Sequence, residues 1–369
     1  MWWWTEALQV SNSFEVRSHV RTYRVSFTDD WMDTCTDLAE DERTFFVVDA
    51  AIAKKFGSRV ERCVPSERME TIEATEAVKT LEGAGRLVER LSERGVRRHD
   101  MIVAIGGGVI QDVVGFTASI LYRGVEWTFL PTTLLAQADS CIGGKTSINV
   151  GTRKNLVGTF YPPGMIYIDP GFLESLPEVE IRSGIGEIMH YYVYAGSPLL
   201  EPMVEEYSTF LENPRDLCRH IREALHIKRG VIEIDEFDKG ERNKFNYGHT
   251  FGHALESISE FELRHGQAVT AGMCLANDLS VRLGLLDAGK AARLNALLSV
   301  NLPSYEWGSL DFDRYFELLS RDKKNVGKGT LTCILAEGYG RLVKQTLPMD
   351  DQFAGWVKSF FLEEIHRLK

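Results

Sequence analysis

The stretch Met101-Ile102-Val103-Ala104-Ile105-Gly106-Gly107-Gly108-Val109-Ile110-Gln111-Asp112 decides the fold of this chain. Its unbroken apolar run reads as a strand buried on both faces, as strands of parallel sheets are. Three glycines follow at once, and a helical pattern opens behind them. Strand, glycine turn and helix in that order let backbone N–H groups at a helix N-terminus approach a phosphate. The usual dinucleotide fingerprint would place its third glycine where this chain has Gln111, so a tight structural turn stays open as a reading of these residues alone. Asp49, ending the run Thr44-Phe45-Phe46-Val47-Val48, is an acid at a strand end that could bind a ribose hydroxyl, although it lies upstream of the glycines.

Outward from that stretch, short apolar runs alternate with longer helical patterns through about residue 175, which predicts a parallel α/β sheet. Residues 76–94 carry Val78, Leu81, Leu87 and Leu91 at helical spacing and predict a crossover helix. From about residue 178 the strand signals nearly vanish. Amphipathic stretches over 199–210, 217–232 and 265–283 predict helices, and the apolar run 329–335 predicts one late strand or hairpin arm. The expected organisation is an α/β, Rossmann-like nucleotide-binding domain over residues 1–177 and a mainly α-helical metal- and substrate-binding domain over 178–369. With no flexible linker in the sequence, a cleft between the two is the expected ligand site.

Hydrophobic content of 44% and charged content of 26% in 369 residues are those of an ordinary globular protein. Against 53 acidic residues stand 42 basic ones, a net charge of −11 that would repel nucleic acid and anionic membranes. An anionic substrate must then be drawn in by local cations. Arg123, Lys145, Lys154 with Asn155, Lys228, Arg242 and the pair Lys323-Lys324 mostly lie in turn-like contexts and form a set able to hold phosphate and carboxylate. Six scattered cysteines without a CxxC pair indicate neither a disulfide framework nor a thiolate metal site, and suit a reducing cytoplasm. Met1-Trp2-Trp3-Trp4 lacks the basic and apolar regions of a secretory signal, and its tryptophans are expected to pack on the body of the protein. No stretch approaches the roughly 18 apolar residues of a membrane span.

Candidate chemistry concentrates in Tyr247-Gly248-His249-Thr250-Phe251-Gly252-His253 and in Arg264-His265-Gly266. Residues at i and i+4 share a helix face, so His249 and His253 could present two imidazoles to a cation such as Zn²⁺, whose catalytic sites take three protein ligands and keep one position open. They could equally form a half-buried stripe beside Leu255 and Ile258. Any third ligand must come from elsewhere in the chain.

Taken together, the motifs resemble those of the sugar phosphate cyclases, and within that family most closely the 3-dehydroquinate synthases. The matching stretches are Gly106 to Asp112, Pro131-Thr132-Thr133-Leu134-Leu135-Ala136-Gln137-Ala138-Asp139, Gly143-Gly144-Lys145-Thr146, Lys154-Asn155-Leu156-Val157-Gly158, Ser183-Gly184-Ile185-Gly186-Glu187, Asn246 to Ala254 and His265-Gly266. The resemblance implies metal ligation by Glu187, His249 and His265, with Zn²⁺ or Co²⁺ as the ion. It implies NAD⁺ bound over Gly106, Gly107, Gly108 and Asp112, with Asp49, Glu76, Lys79, Thr132 and Thr133 near it. The implied substrate is a small sugar phosphate. Lys145, Asn155, Asn246, His253 and Lys324 would surround its phosphate, with Arg123 reaching across from the second subunit of a homodimer. Lys228 and Arg242 would clamp its carboxylate, Asp139 would hold a substrate hydroxyl with Lys154 close by, and His253 would shuttle protons.

The implied reaction oxidises an alcohol, eliminates phosphate, reduces the ketone again and closes a carbocycle by an intramolecular aldol step. One position departs from the pattern: His190 stands where the family usually has a substrate-contacting lysine. An amino analogue of the substrate, a divergent cyclase reaction or a plain NAD-linked polyol dehydrogenase therefore remain as alternatives.

Overall fold

The computed structural model describes residues 12–151, 153–260, 262–321, 327 and 329–368, so the N-terminal tryptophans and Lys324 lie outside the described residues. The chain divides into two compact units, Met1–Ser175 and Leu176–Lys369.

In the first unit, β1 (Ser13–Val16) and β2 (Tyr23–Phe27) are followed by α1 (Trp31–Ala39), β3 (Thr44–Asp49), α2 (Ala50–Cys63), β4 (Met69–Ile72), α3 (Leu81–Glu93), β5 (Met101–Gly106), α4 (Gly108–Ile120) and β6 (Glu126–Pro131). The hairpin of β7 (Lys145–Val150) and β8 (Arg153–Phe160) and then β9 (Met165–Ile168) complete it. Seven strands form one sheet in the order β1-β2-β9-β6-β5-β3-β4, parallel except for β1 against β2. Ile102, Val103, Ala104 and Ile105 of β5 are fully buried, as its unbroken apolar run predicts. Trp31, Phe56 and Phe172 pack ring to ring in the core of this unit. After β3 the chain moves outward to β4, then returns to place β5 on the other side of β3. That reversal opens a crevice at the carboxyl ends of β3 and β5, the place where open α/β sheets bind ligands.

The crossover helix is shorter than its periodicity suggests. Residues 76–80 are not helical, because Thr80 is the N-cap: its side chain accepts from Gly83 N at 3.0 Å. The β7–β8 hairpin carries no clear strand signal in the sequence, since β8 is largely exposed and rich in polar residues and glycine.

The second unit contains α5 (Glu178–Ala195), α6 (Leu200–Glu205), α7 (Tyr207–Glu212), α8 (Cys218–Ile232), α9 (His249–Ile258), α10 (His265–Arg282), α11 (Ala288–Leu298), α12 (Phe312–Ser320) and α13 (Asp351–Ser359). It also holds an antiparallel pair, β10 (Thr330–Gly338) with β11 (Arg341–Pro348), where the sequence predicts a late strand. Helices α5 and α10 are buried on nearly every side and form the centre of this unit. The segment 199–210, expected as one helix, breaks at Glu206, where Tyr207 is held by hydrogen bonds to Arg182 and Asn301.

Buried His220 lies 2.7 Å from Tyr192 Oη through Nδ1. Burial, with Arg219 adding to it, lowers its pKa from an ordinary 6.5 to about 4. The folded protein thus binds fewer protons than the unfolded chain between those values, and stability rises with pH across that window. His220→Gln, which keeps an acceptor and does not titrate, is expected to remove a loss of at most about 3 kcal/mol on going from pH 6.5 down to 4. Urea midpoints at several pH values check this; parallel slopes in parent and variant would refute it.

Candidate active site

The second unit brings together four donor side chains. Glu187, mid-way along α5, is 2% exposed, and its Oε1 lies 3.4 Å from His249 Nε2 and 3.2 Å from His265 Nε2. His249 and His265 are the first residues of α9 and α10, and donor atoms of His249, His253 and His265 all lie within 4.8 Å of one another. Each ligand ring is held from behind: His249 Nδ1 faces Tyr247 O at 3.2 Å, and His265 Nδ1 faces Glu256 Oε2 at 3.1 Å. Glu187 Oε1 is buried without a hydrogen-bond partner. A buried carboxylate oxygen beside two oriented imidazole nitrogens fits Zn²⁺ or Co²⁺.

Burial by itself would raise the Glu187 carboxyl, yet the two imidazoles outweigh it and hold it well below the usual range. Burial would likewise lower His265, but Glu187 and Glu256 push it up to about 10. The cluster is therefore a strongly cation-attracting spot in a chain of net charge −11.

Two glycines make this convergence possible. A Cβ on Gly186 would lie 2.2 Å from Gly266 O, and one on Gly266 would lie 1.8 Å from Ser183 O. Only bare backbone lets α5 and the start of α10 approach closely enough to bring Glu187 against His265.

In the first unit, Gly107 precedes α4 as its N-cap, with no side chain capping the helix, so the first N–H groups are available to a phosphate. Thr132 and Thr133 follow β6, the neighbour of β5. Asp49 ends β3, on the other side of β5; it is half-buried, burial raises its pKa, and it accepts from Ala51 N at 2.9 Å. Asp112 is engaged by Lys79 Nζ at 2.6 Å, Ser147 N at 2.7 Å and Ser147 Oγ at 2.9 Å, which makes it a strut between α4 and β7. Glu76 Oε2 accepts from Asn149 Nδ2 at 2.8 Å. A cavity of about 310 Å³ opens beside β4 and α3, lined by Thr71, Glu73, Val78 and Arg86 among others.

The remaining expected residues separate by unit. Asp139 lies in the wide helical turn Ala136–Ser140, half-buried. Lys145, Lys154 and Asn155 are exposed on the β7–β8 hairpin, with Asn155 at φ 52° and accepting from Ser147 Oγ at 2.9 Å. Arg123 is exposed at φ 66°. In the second unit Lys228 and Arg242 are each only 6% exposed. Arg242 lies in the short helical turn Glu241–Asn246, which packs against α5, α8 and α9, and it donates to Glu236 O. Asn246 from the same turn lines a cavity of about 130 Å³ with Asp238, Asn243 and Thr250. His190 is completely buried, its ring centroid 5.0 Å from that of His249 and 6.2 Å from Tyr247, on which it stacks. Sequence reading missed Glu256 and the Gly186–Gly266 contact. Glu256 lies three residues beyond His253 on α9, a helical spacing that could have marked it.

Family profiles described as the N-terminal and C-terminal parts of 3-dehydroquinate synthase match residues 69–183 and 184–325. A 3-dehydroquinate synthase from Helicobacter pylori is 38% identical over 275 residues, covering 74% of this chain and 78% of that protein. Among solved structures, a 2-deoxy-scyllo-inosose synthase complexed with carbaglucose-6-phosphate, NAD⁺ and Co²⁺ superposes with a TM-score of 0.83 at 24% identity, over 95% of this chain and 99% of the other. A 2-epi-5-epi-valiolone synthase from Streptomyces hygroscopicus subsp. jinggangensis, with NAD⁺ and Zn²⁺ bound, gives 0.78 at 25% identity, over 94% and 97%.

Purified His249→Ala is expected to lose its stoichiometric divalent cation, whereas His253→Ala should retain it, as read by elemental analysis after dialysis. Equal loss in both would make His253 a ligand. Gly266→Ala should lower stability by roughly 1–3 kcal/mol through overpacking. It should also weaken cation binding, because the start of α10 must move away from Glu187.

Proposed function

This chain belongs to the 3-dehydroquinate synthase family, and on that premise we propose that it converts 3-deoxy-D-arabino-heptulosonate 7-phosphate to 3-dehydroquinate, as a carbon–oxygen lyase acting on a phosphate ester. The observation that carries this reading is the presence, in one unit, of the donor set Glu187, His249 and His265 together with two buried cations, Lys228 and Arg242. Both side chains are nearly excluded from water, where a charge-assisted bond to a substrate carboxylate is strong. Family members acting on substrates without that carboxylate typically lack an arginine at the position of Arg242.

NAD⁺ would supply reversible hydride transfer, and a divalent cation held by Glu187, His249 and His265 would supply polarisation of a substrate oxygen. The chain's own groups hold and position. The open N-terminus of α4, with Thr132, Thr133 and Asp49, receives the dinucleotide, and the cavity beside β4 suits its adenosine end. Lys145, Asn155, Asn246, His253 and Lys324 bind the phosphate, and an exposed imidazole at His253 can carry a proton to or from the leaving group. Asp139 and Lys154 engage the remaining polar groups of the substrate. His190, enclosed beside His249, acts through that ring. We further propose a homodimer in which Arg123 serves the neighbouring subunit, working in the cytoplasm. Among the described residues no helix is long and apolar enough to cross a membrane.

Protein incubated with this substrate, catalytic NAD⁺ and Zn²⁺ or Co²⁺ is expected to release phosphate without net NADH. Absence of phosphate release with either ion would defeat the proposal, and NADH accumulating one for one with substrate would point instead to a polyol dehydrogenase. Arg242→Ala should raise KM for the carboxylated substrate at least tenfold, since a buried charge-assisted pair is lost.

A further inference from the structure

We propose that Glu256 is a positioning residue of the metal centre, fixing the tautomer and direction of His265 and making it the stronger of the two imidazole donors. The inference rests on the reading of Glu187, His249 and His265 as cation ligands.

A neutral imidazole has one N–H and one lone pair, and the partner of one nitrogen dictates which is which. His265 Nδ1 lies 3.1 Å from Glu256 Oε2, and a carboxylate can only accept, so the proton is on Nδ1. A cation bound at Glu187 takes the place of the proton on Nε2, the atom 3.2 Å from Glu187 Oε1, so Nε2 is the nitrogen that ligates. His249 is arranged in the same sense but with a weaker partner, the carbonyl of Tyr247 at 3.2 Å. A carbonyl fixes the tautomer as well as a carboxylate does. It carries only a partial charge, so it enriches the ring less.

Both ligand rings open a helix, His249 that of α9 and His265 that of α10, so it is the partner behind each ring that sets His265 apart. As the first residue of α10 it sits at a helix N-terminus, where the exposed N–H groups draw electron density from a donor ring. Glu256 offsets that field. It reaches His265 from α9, where it shares a face with His249 and His253 at spacings of seven and three residues. One helix thus supplies a ligand and orients the ligand of its neighbour, so the two rings cannot shift independently.

The test compares Glu256→Ala and Glu256→Gln with the parent by competition of Zn²⁺ against a chromophoric chelator and by the visible spectrum of the Co²⁺-loaded protein. Loss of an oriented second partner is expected to weaken Zn²⁺ binding by about 10- to 100-fold in Glu256→Ala. The Co²⁺ bands should shift at the same time. Glu256→Gln, which keeps an oxygen acceptor without the charge, should fall between. Should Glu256→Ala fail to fold, the near-isosteric glutamine variant decides alone: a loss of several-fold supports the role, and parental affinity with an unchanged spectrum overturns it. A parent protein that binds no Zn²⁺, or a His249→Ala variant that binds it as well as the parent, would defeat the metal centre itself and this inference with it.

Discussion

A carboxylate removed from water costs several kcal/mol unless it is compensated, and Glu187 is 2% exposed in the middle of a buried helix. The second unit is arranged around that cost. Helices α9 and α10 both begin at an imidazole aimed at Glu187, and each imidazole is braced from behind by an acceptor. The helices can stand this close because Gly186 and Gly266 carry no side chain. Remove either glycine and the geometry that neutralises Glu187 is lost along with the packing. Fold and site are one constraint here.

The first unit meets a different demand with different means. For the dinucleotide proposed to bind here, which brings its own negative charge, the sheet offers backbone dipoles: Gly107 leaves the start of α4 uncapped at the crevice where strand order reverses. Acidic groups nearby are kept from opposing it. Asp112 is neutralised by Lys79 and bonded to Ser147, and Asp49 is spent partly on capping α2. An acidic protein thus turns bare backbone N–H groups toward an anion at this crevice.

What the sequence made legible follows from how local each signal is. The β5–glycine–α4 unit is contiguous, and its hydrophobic run and glycines state the strand, the turn and the helix without outside help. His249 and His253 announce a shared face by spacing alone. Glu187 does not, because a glutamate among apolar residues on a helix far upstream carries no mark of its partners; only resemblance to a known family points to it. Glu256 and the two contact glycines were hidden for the same reason, since their roles exist only across helices. Thr80 shows the converse: its capping geometry is local, yet the apolar periodicity that runs through residues 76–94 masks where the helix starts.

His190 bears on how this chain apportions recognition of anions. A lysine at that position would carry a fixed charge on a long stem, able to reach a substrate oxygen. His190 instead fills a pocket among Tyr191, Phe245, Tyr247 and the ring of His249, with no surface exposed. Its contribution is packing behind the His249 ring rather than charge toward a substrate. In the proposed reaction the carboxylate is then met, on this unit, by the buried side chains of Lys228 and Arg242. That shift makes carboxylate recognition more dependent on these two residues here than in a relative that keeps the lysine. It also ties any change at residue 190 first to the His249 ring, and in the proposed reaction only through that ring to the substrate.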